Sequence, residues 1–213
     1  MRADPVSALP AAPPRARRGT PWEAADYVAL DFETTGLDYA RDHVISFGVV
    51  PVLGGRAVVG GSVHVLVQPP SPPSPRSQTV HLLRPQDLSD APPIEEAREA
   101  LRDLLDRRYL LAWFADVELH FLARTFGGSV RRWRRRTIDV RNLAIAAAGE
   151  LTEARARPGF ALHAAARRYG VPVTSPHDAL DDALVTAQLL LVLVSKLPDV
   201  SRPTLRDLIR IAR

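Results

Sequence analysis

The chain has 213 residues, a hydrophobic fraction of 46%, and 28 Lys and Arg against 24 Asp and Glu, for a net charge of +4. That is enough for one ordinary domain with tails, and no apolar run approaches the ~20 residues of a membrane span. With no cysteine in the sequence, disulfides, thiolate zinc sites and a cysteine nucleophile are excluded, so any metal must sit on carboxylates, imidazoles or backbone oxygens, and oxygen donors favour hard cations such as Mg²⁺ or Mn²⁺. A cytoplasmic protein without a membrane association fits these features. Residues 1–20 carry four arginines against one aspartate. The rest of the chain is close to neutral, and its basicity alone says little about nucleic acid.

Residues 1–24 are rich in Pro, Ala and Arg without apolar periodicity and read as a disordered basic tail. Tyr27 to Phe32 reads as a strand. Val44 to Leu53 and Ala57 to Val67 read as two more, parted by the turn signal Gly54-Gly55. Short links make these three antiparallel neighbours. The run Pro69 to Pro75 is a loop that cannot join a ladder. Pro93 to Arg108 has helical spacing with proline at its start, and Tyr109 to Phe114 is a short buried strand. A helix from Val117 to Phe126 ends at Gly127-Gly128. Thr137 to Val140 reads as a fifth strand, followed by helices over Arg141 to Ala148, Phe160 to Tyr169, Asp178 to Lys196 and Arg202 to Arg213. The order predicts an α/β fold with a mixed sheet. Residues 25–197 form the expected domain, and 198–213 a C-terminal helical extension.

Asp31 and Glu33 stand two apart on a strand, so both side chains point to one face while Phe32 points to the other. Paired carboxylates repel each other unless a cation lies between them, which makes this strand end a divalent-metal platform or an ordinary solvated end. Thr34-Thr35-Gly36 follows, and the glycine lets backbone approach a ligand closely. Farther on, His177 precedes Asp182 by five residues. Pro176 places the histidine at the lip of a helix and the aspartate one turn inside it. An imidazole with a pKa of ~6.5 suits proton abstraction near neutral pH.

The segment Asp31-Phe32-Glu33-Thr34-Thr35-Gly36-Leu37 resembles the first motif of the DnaQ-like, or DEDDh, 3′–5′ exonucleases, and His177-Asp178-Ala179-Leu180-Asp181-Asp182 resembles their last. Ile45 to Val50 is similar to the family's second strand, and Thr79-Val80-His81 to the stretch before its first long helix. The resemblance runs from about Tyr27 to Leu197. It implies a ribonuclease H-like three-layer fold with a mixed five-stranded sheet, the first three strands antiparallel, flanked by helices. It also implies two divalent cations, Mg²⁺ or Mn²⁺, on Asp31, Glu33, Glu118 and Asp182, with His177 as the base and Thr34, Thr35, Gly36 and His177 on the terminal nucleotide.

The middle motif departs from the family's pattern. Anchored on Phe121-Leu122, Glu118 stands where the family has aspartate, and Trp113-Phe114 replaces a His-Asn pair. Asp116 is the alternative acid, but it breaks the spacing. Asp139 resembles a further supporting acid and equally suits a helix N-cap. The run Arg131-Arg132-Trp133-Arg134-Arg135-Arg136 reads either as a phosphate- and base-contacting segment or as a solvated loop. His43, His64, His120 and His163 show no ligand-like spacing. The implied activity is release of nucleoside 5′-monophosphates from the 3′ end of single-stranded DNA, with a polymerase or repair partner. RNA trimming by the same chemistry, or a catalytically weak domain that binds single strands or a partner, are the alternatives.

Overall fold

A computed structural model describes residues 12–149, 161–198 and 201–213. The strands are β1 (Tyr27–Thr34), β2 (Val44–Leu53), β3 (Arg56–Ala57), β4 (Val63–Leu66), β5 (Tyr109–Ala112) and β6 (Thr137–Asp139). They form one sheet in the order β3-β2-β1-β5-β6, with β4 also paired to β2. β2 runs antiparallel to β1, β3 and β4, whereas β5 and β6 run parallel to β1 and to each other. The expected third strand is therefore split, and the sheet has six strands rather than five. A 3-10 turn at Val59–Gly61 interrupts it, where two consecutive glycines weaken the strand.

The helices are α1 (Pro75–His81), α2 (Ile94–Leu105), α3 (Asp116–Phe126), α4 (Val130–Arg134), α5 (Val140–Ala147), α6 (Leu162–Tyr169), α7 (Ala179–Val194) and α8 (Leu205–Ile211). Neither α1 nor α4 was expected. Both are short and polar, and each starts on a serine cap, Ser74 accepting from the amide of Ser77 and Ser129 from that of Arg132. Capping, rather than an apolar stripe, defines them. Helix α6 starts at Leu162; Phe160, its expected first residue, lies outside the described residues.

Side-chain alternation along β1 divides the core in two. Tyr27 and Ala29 face a layer built by α5 to α8, and Val28, Leu30 and Phe32 face one built by α2 and α3. Each large apolar side chain so buried contributes about 1.5–3 kcal/mol. The period of two carries Asp31 and Glu33 onto the α7 face, just beyond Tyr27 and Ala29. A register irregularity between Glu33 and Thr34 ends the regular ladder there.

Residues 1–11 of the expected tail lie outside the described residues. Residues 16–22 are held against the domain, contrary to the expected tail. Trp22 is buried, Pro21 bridges Thr204, the amide of Leu205 donates to the Thr20 carbonyl at 3.0 Å, and the Tyr109 hydroxyl donates to the Ala16 carbonyl at 3.0 Å. The buried indole supplies the apolar area that the composition of the segment hid. Helix α8 joins the same core through Leu205, Leu208 and Ile209, so the C-terminal residues are part of the packed domain.

Candidate active site

Three elements converge at the carboxyl end of β1. The strand delivers Asp31 and Glu33, the first turn of α3 delivers Glu118, and the first turn of α7 delivers Asp182. All four line one cavity of about 630 Å³ together with Thr34, Gly36 and His177. Asp116 does not line it; its carboxylate pairs instead with the Arg134 guanidinium. The spacing anchored on Phe121-Leu122 thus picks out the acid that reaches the cavity.

Local packing fixes each acid. Phe32 lies between Phe47 and Phe121, with ring centroids 6.4 Å away on both sides and edge-on geometry, which seats β1 against α3. Gly48 on β2 is the register partner of Asp31. A Cβ at this glycine would collide with the Ala179 carbonyl and Leu180 Cα, so its absence lets α7 dock directly on the sheet. Asp178 caps that helix, its Oδ1 accepting from the amides of Leu180 and Asp181 at 3.0 Å each. Asp181 in turn accepts from the amides of Thr174 and Ser175, tying down the loop that bears His177. His177 is exposed and adopts a φ of 63°, a left-handed conformation uncommon for a side-chain-bearing residue. Its ring and one carboxylate oxygen each from Glu33 and Asp182 lie within 4.8 Å of one another, a grouping able to hold a metal ion.

Thr35 departs from the expectation. Its side chain is buried, its hydroxyl donates to Asp42 Oδ1 at 2.7 Å, and its carbonyl accepts from the Ser77 hydroxyl at 2.8 Å. Both polar groups are spent on bracing the loop, so Thr35 supports Thr34 and Gly36 without lining the cavity. Gly36 has no room for a Cβ beside the Asp42 carboxylate, which draws the loop tightly inward.

The electrostatics are those of crowded acids. Burial pushes Asp31 well above the usual carboxylate range, and Glu118, Glu33, Asp182 and Asp178 push the same way. Glu33 is raised to about 8 by burial and then by Asp182 and Asp178. Glu118 is raised by burial, with Asp139, Asp116 and Glu33 adding to it against a hydrogen bond from its backbone surroundings. Its Oε2 is buried with no hydrogen-bond partner. Asp182 is also raised by burial, although His163 and His177 oppose the shift. Four clustered acids with one buried oxygen unpartnered fit a divalent cation, which supplies the missing charge and the missing contact at once.

Two further histidines border this centre, and His163 is one that showed no ligand-like spacing. His163 Nε2 lies 2.7 Å from Asp182 Oδ1, and its ring meets that of His177 edge-on at 5.2 Å. It stands 19 residues before Asp182 on a different helix, so no local spacing could reveal it. His81 also lines the cavity and accepts the Leu83 amide through Nδ1 at 3.0 Å. Asp139 serves as cap and brace together. Its Oδ1 accepts from the amides of Arg141 and Asn142, and its Oδ2 from Ala115, the residue before α3. Within the arginine run, Trp133 is buried and covered by the Arg136 guanidinium at 4.1 Å, so its indole is committed to the fold rather than to a stacked base.

A family model described as an exonuclease matches residues 28–190, spanning every one of these acids. The chain belongs to the exonuclease family. Among its relatives, a PolC-type DNA polymerase III of Thermotoga petrophila is 31% identical over 88% of this chain and 13% of its own length. A DNA polymerase III subunit epsilon-like protein of Rhodobacter capsulatus is 29% identical over 84% of this chain and 25% of its own. This exonuclease-family chain therefore spans a quarter or less of those relatives. In fold it is similar to exonuclease X solved with 5′ overhanging duplex DNA, with a TM-score of 0.64 and 23% identity over 88% of this chain and 99% of that one. The expected ribonuclease H-like architecture and the family named by the motifs both hold. Among the described residues, no helix is long and apolar enough to cross a membrane.

Proposed function

We propose that this chain is a metal-dependent 3′–5′ exonuclease that releases nucleoside 5′-monophosphates from the 3′ ends of DNA. One observation carries the reading. Asp31, Glu33, Glu118 and Asp182 come from three separate elements yet line one cavity, where burial raises all four, neighbouring acids add to the shift at Asp31, Glu33 and Glu118, and Glu118 Oε2 has no partner. These residues would hold two divalent cations, Mg²⁺ or Mn²⁺. When bound, the cations neutralise the acids and stabilise charge on the phosphate undergoing in-line displacement.

The protein's own residues do the rest. The exposed His177 at the cavity mouth takes the proton of the attacking water, the general-base role that an imidazole within reach of it can fill. A bond forms between the water oxygen and phosphorus as the bond from phosphorus to the upstream 3′ oxygen breaks; that oxygen takes a proton from solvent water, and His177 returns to solvent the one it took. Thr34 and Gly36 form the wall against the terminal nucleotide. His163 holds the Asp182 carboxylate in orientation. DNA is favoured as substrate because exonuclease X, similar in fold over nearly its whole length, was solved with DNA. Polymerase III relatives make a replicative or repair partner the natural setting.

Incubation of 5′-labelled, 3′-tailed DNA and RNA oligonucleotides with Mg²⁺ or Mn²⁺ tests this. A ladder of products shortened from the 3′ end of DNA, abolished in Asp31→Ala and Glu118→Ala, is expected. No laddering with either metal on either substrate would overturn the enzymatic reading. Full activity in Glu118→Ala would remove that residue from the site.

A further inference from the structure

The four acids gather at the carboxyl end of β1, and the opposite ends of the parallel strands open onto a second cavity. It measures about 540 Å³ and is walled by the N-terminal segment, the end of α2, the end of α3, and α4 with the residues that follow it. Tyr109, the first residue of β5, lies on its floor, and Arg136 immediately precedes β6. Tyr109 pairs with Tyr27 across the sheet. At a rise of ~3.3 Å per residue, Asp31 stands roughly 13 Å farther along β1.

This cavity has the opposite charge to the first. Arg15, Arg18, Arg132, Arg135 and Arg136 all line it, and among the described residues none of them forms an ion pair with a carboxylate. Asp106 is the one acid in the wall, and it reaches Arg107 at 3.5 Å. Arg136 is held in place, donating to the Leu105 carbonyl at 3.2 Å while lying over Trp133. Burial lowers it to about 10, and Arg15 and Arg132 act in the same direction. Like charges gathered around a concave surface concentrate a field that only an anion relieves.

The chemistry of the wall narrows the anion. The planar guanidinium fork matches phosphate oxygens in pairs. With the Trp133 ring covered by Arg136, that indole offers no open face for a base to stack on, and several guanidiniums gathered on one surface suit a sequence-independent backbone contact. Helix α3 borders both cavities, with Val117 and Glu118 on the first and Phe126 on the second.

Resting on the exonuclease reading, we propose that this arginine cavity is a remote backbone-phosphate site, gripping the nucleic-acid strand several nucleotides from the 3′ end being cut. The separation is roughly 13 Å straight along the sheet and longer over the surface, whereas the second phosphate of a trinucleotide lies only one step from the scissile one, so trinucleotides would not reach it and strands of a dozen would.

Fluorescence anisotropy of labelled DNA oligomers of three, six, twelve and twenty nucleotides, in EDTA so that nothing is cut, tests the site. In the Arg15→Ala/Arg132→Ala/Arg135→Ala protein, binding of the twenty-mer is expected to weaken at least ~10-fold. The slope of log affinity against log salt should fall by about 2 to 3, close to one for each phosphate no longer neutralised. Trinucleotide binding, and trinucleotide cleavage measured separately with Mg²⁺, should be unchanged. Arg132 and Arg135 are exposed, so the single variants give the same reading in smaller steps if the triple variant melts early. Undiminished twenty-mer affinity, or an equal loss for trinucleotide and twenty-mer, would overturn the proposal. So would protection of these arginines by a mononucleotide or an acidic peptide but not by DNA. If the wild type binds long strands tightly through these arginines yet cuts nothing, the exonuclease reading fails while the phosphate site stands.

Discussion

His163 Nε2 sits 2.7 Å from Oδ1 of Asp182, joining a helix with no acid of the site to the helix that carries the last one. The contact fixes which Asp182 oxygen is turned toward the cavity. Partners behind metal-binding groups commonly govern affinity or rate by 10- to 100-fold. His163→Ala is expected to leave the fold intact, raise the Mg²⁺ concentration for half-maximal cleavage by about that factor, and lower the saturated rate less. Initial rates across a magnesium titration check this; an unchanged magnesium requirement would contradict it.

Glu118 should behave as an acid kept for function at a cost to the fold. Its side chain is buried, with Oε2 unpartnered, and Asp139, Asp116 and Glu33 all repel its charge. Glu118→Gln removes the charge at nearly constant volume. The variant is expected to melt higher than the wild type in EDTA at pH 8 and to lose at least ~100-fold in cleavage rate. Thermal melts paired with gel assays separate the two effects, and a variant both less stable and fully active would contradict the assignment.

The metal-free protein should lose stability as the pH rises. Glu33 is raised from 4.5 to about 8 in the folded state, so the folded state holds a proton that the unfolded chain releases. That stabilisation is fully present below pH ~4.5 and disappears as the pH passes through about 8. Melting temperatures in EDTA should therefore fall between pH 5 and pH 8.5. Adding Mg²⁺ should restore more at the upper end, since protons no longer compete with the cation for the carboxylates there. A flat profile in EDTA, with equal gains from Mg²⁺ at each pH, would contradict it.

Gly48→Ala tests how α7 is placed. The new methyl collides with backbone at Ala179 and Leu180, and neither can swing aside as a side chain would. Overpacking of this kind costs about 1–3 kcal/mol. Because the displaced turn carries Asp182, cleavage should fall by a larger factor than stability explains. Urea unfolding and steady-state rates on one preparation measure both.

Much of this arrangement was legible in the sequence, for identifiable reasons. The strand β1 and the pairing of Asp31 with Glu33 follow from a period of two, and α7 from a long apolar stripe behind a capping aspartate. Glu118 was reachable because Phe121 and Leu122 fix the helix register. His163 and Thr35 were not. His163 meets its carboxylate across two helices, and Thr35 is chemically identical to Thr34, set apart only by the brace that Asp42 and Ser77 form around it. The N-terminal segment misled because a single buried Trp22 outweighs the proline and arginine around it.

The seat of Phe121 has one more consequence. Its ring is packed edge-on against Phe32 and Tyr39 at 6.4 and 6.0 Å, one helical turn below Glu118. The backbone at 118 is thus set by aromatic packing and not by whatever acid stands there. An additional methylene at that position must be absorbed by the rotamer alone, so the choice between Asp and Glu tunes reach without disturbing the helix. The ring works as a stationary pivot about which the chemistry of the middle acid is free to drift.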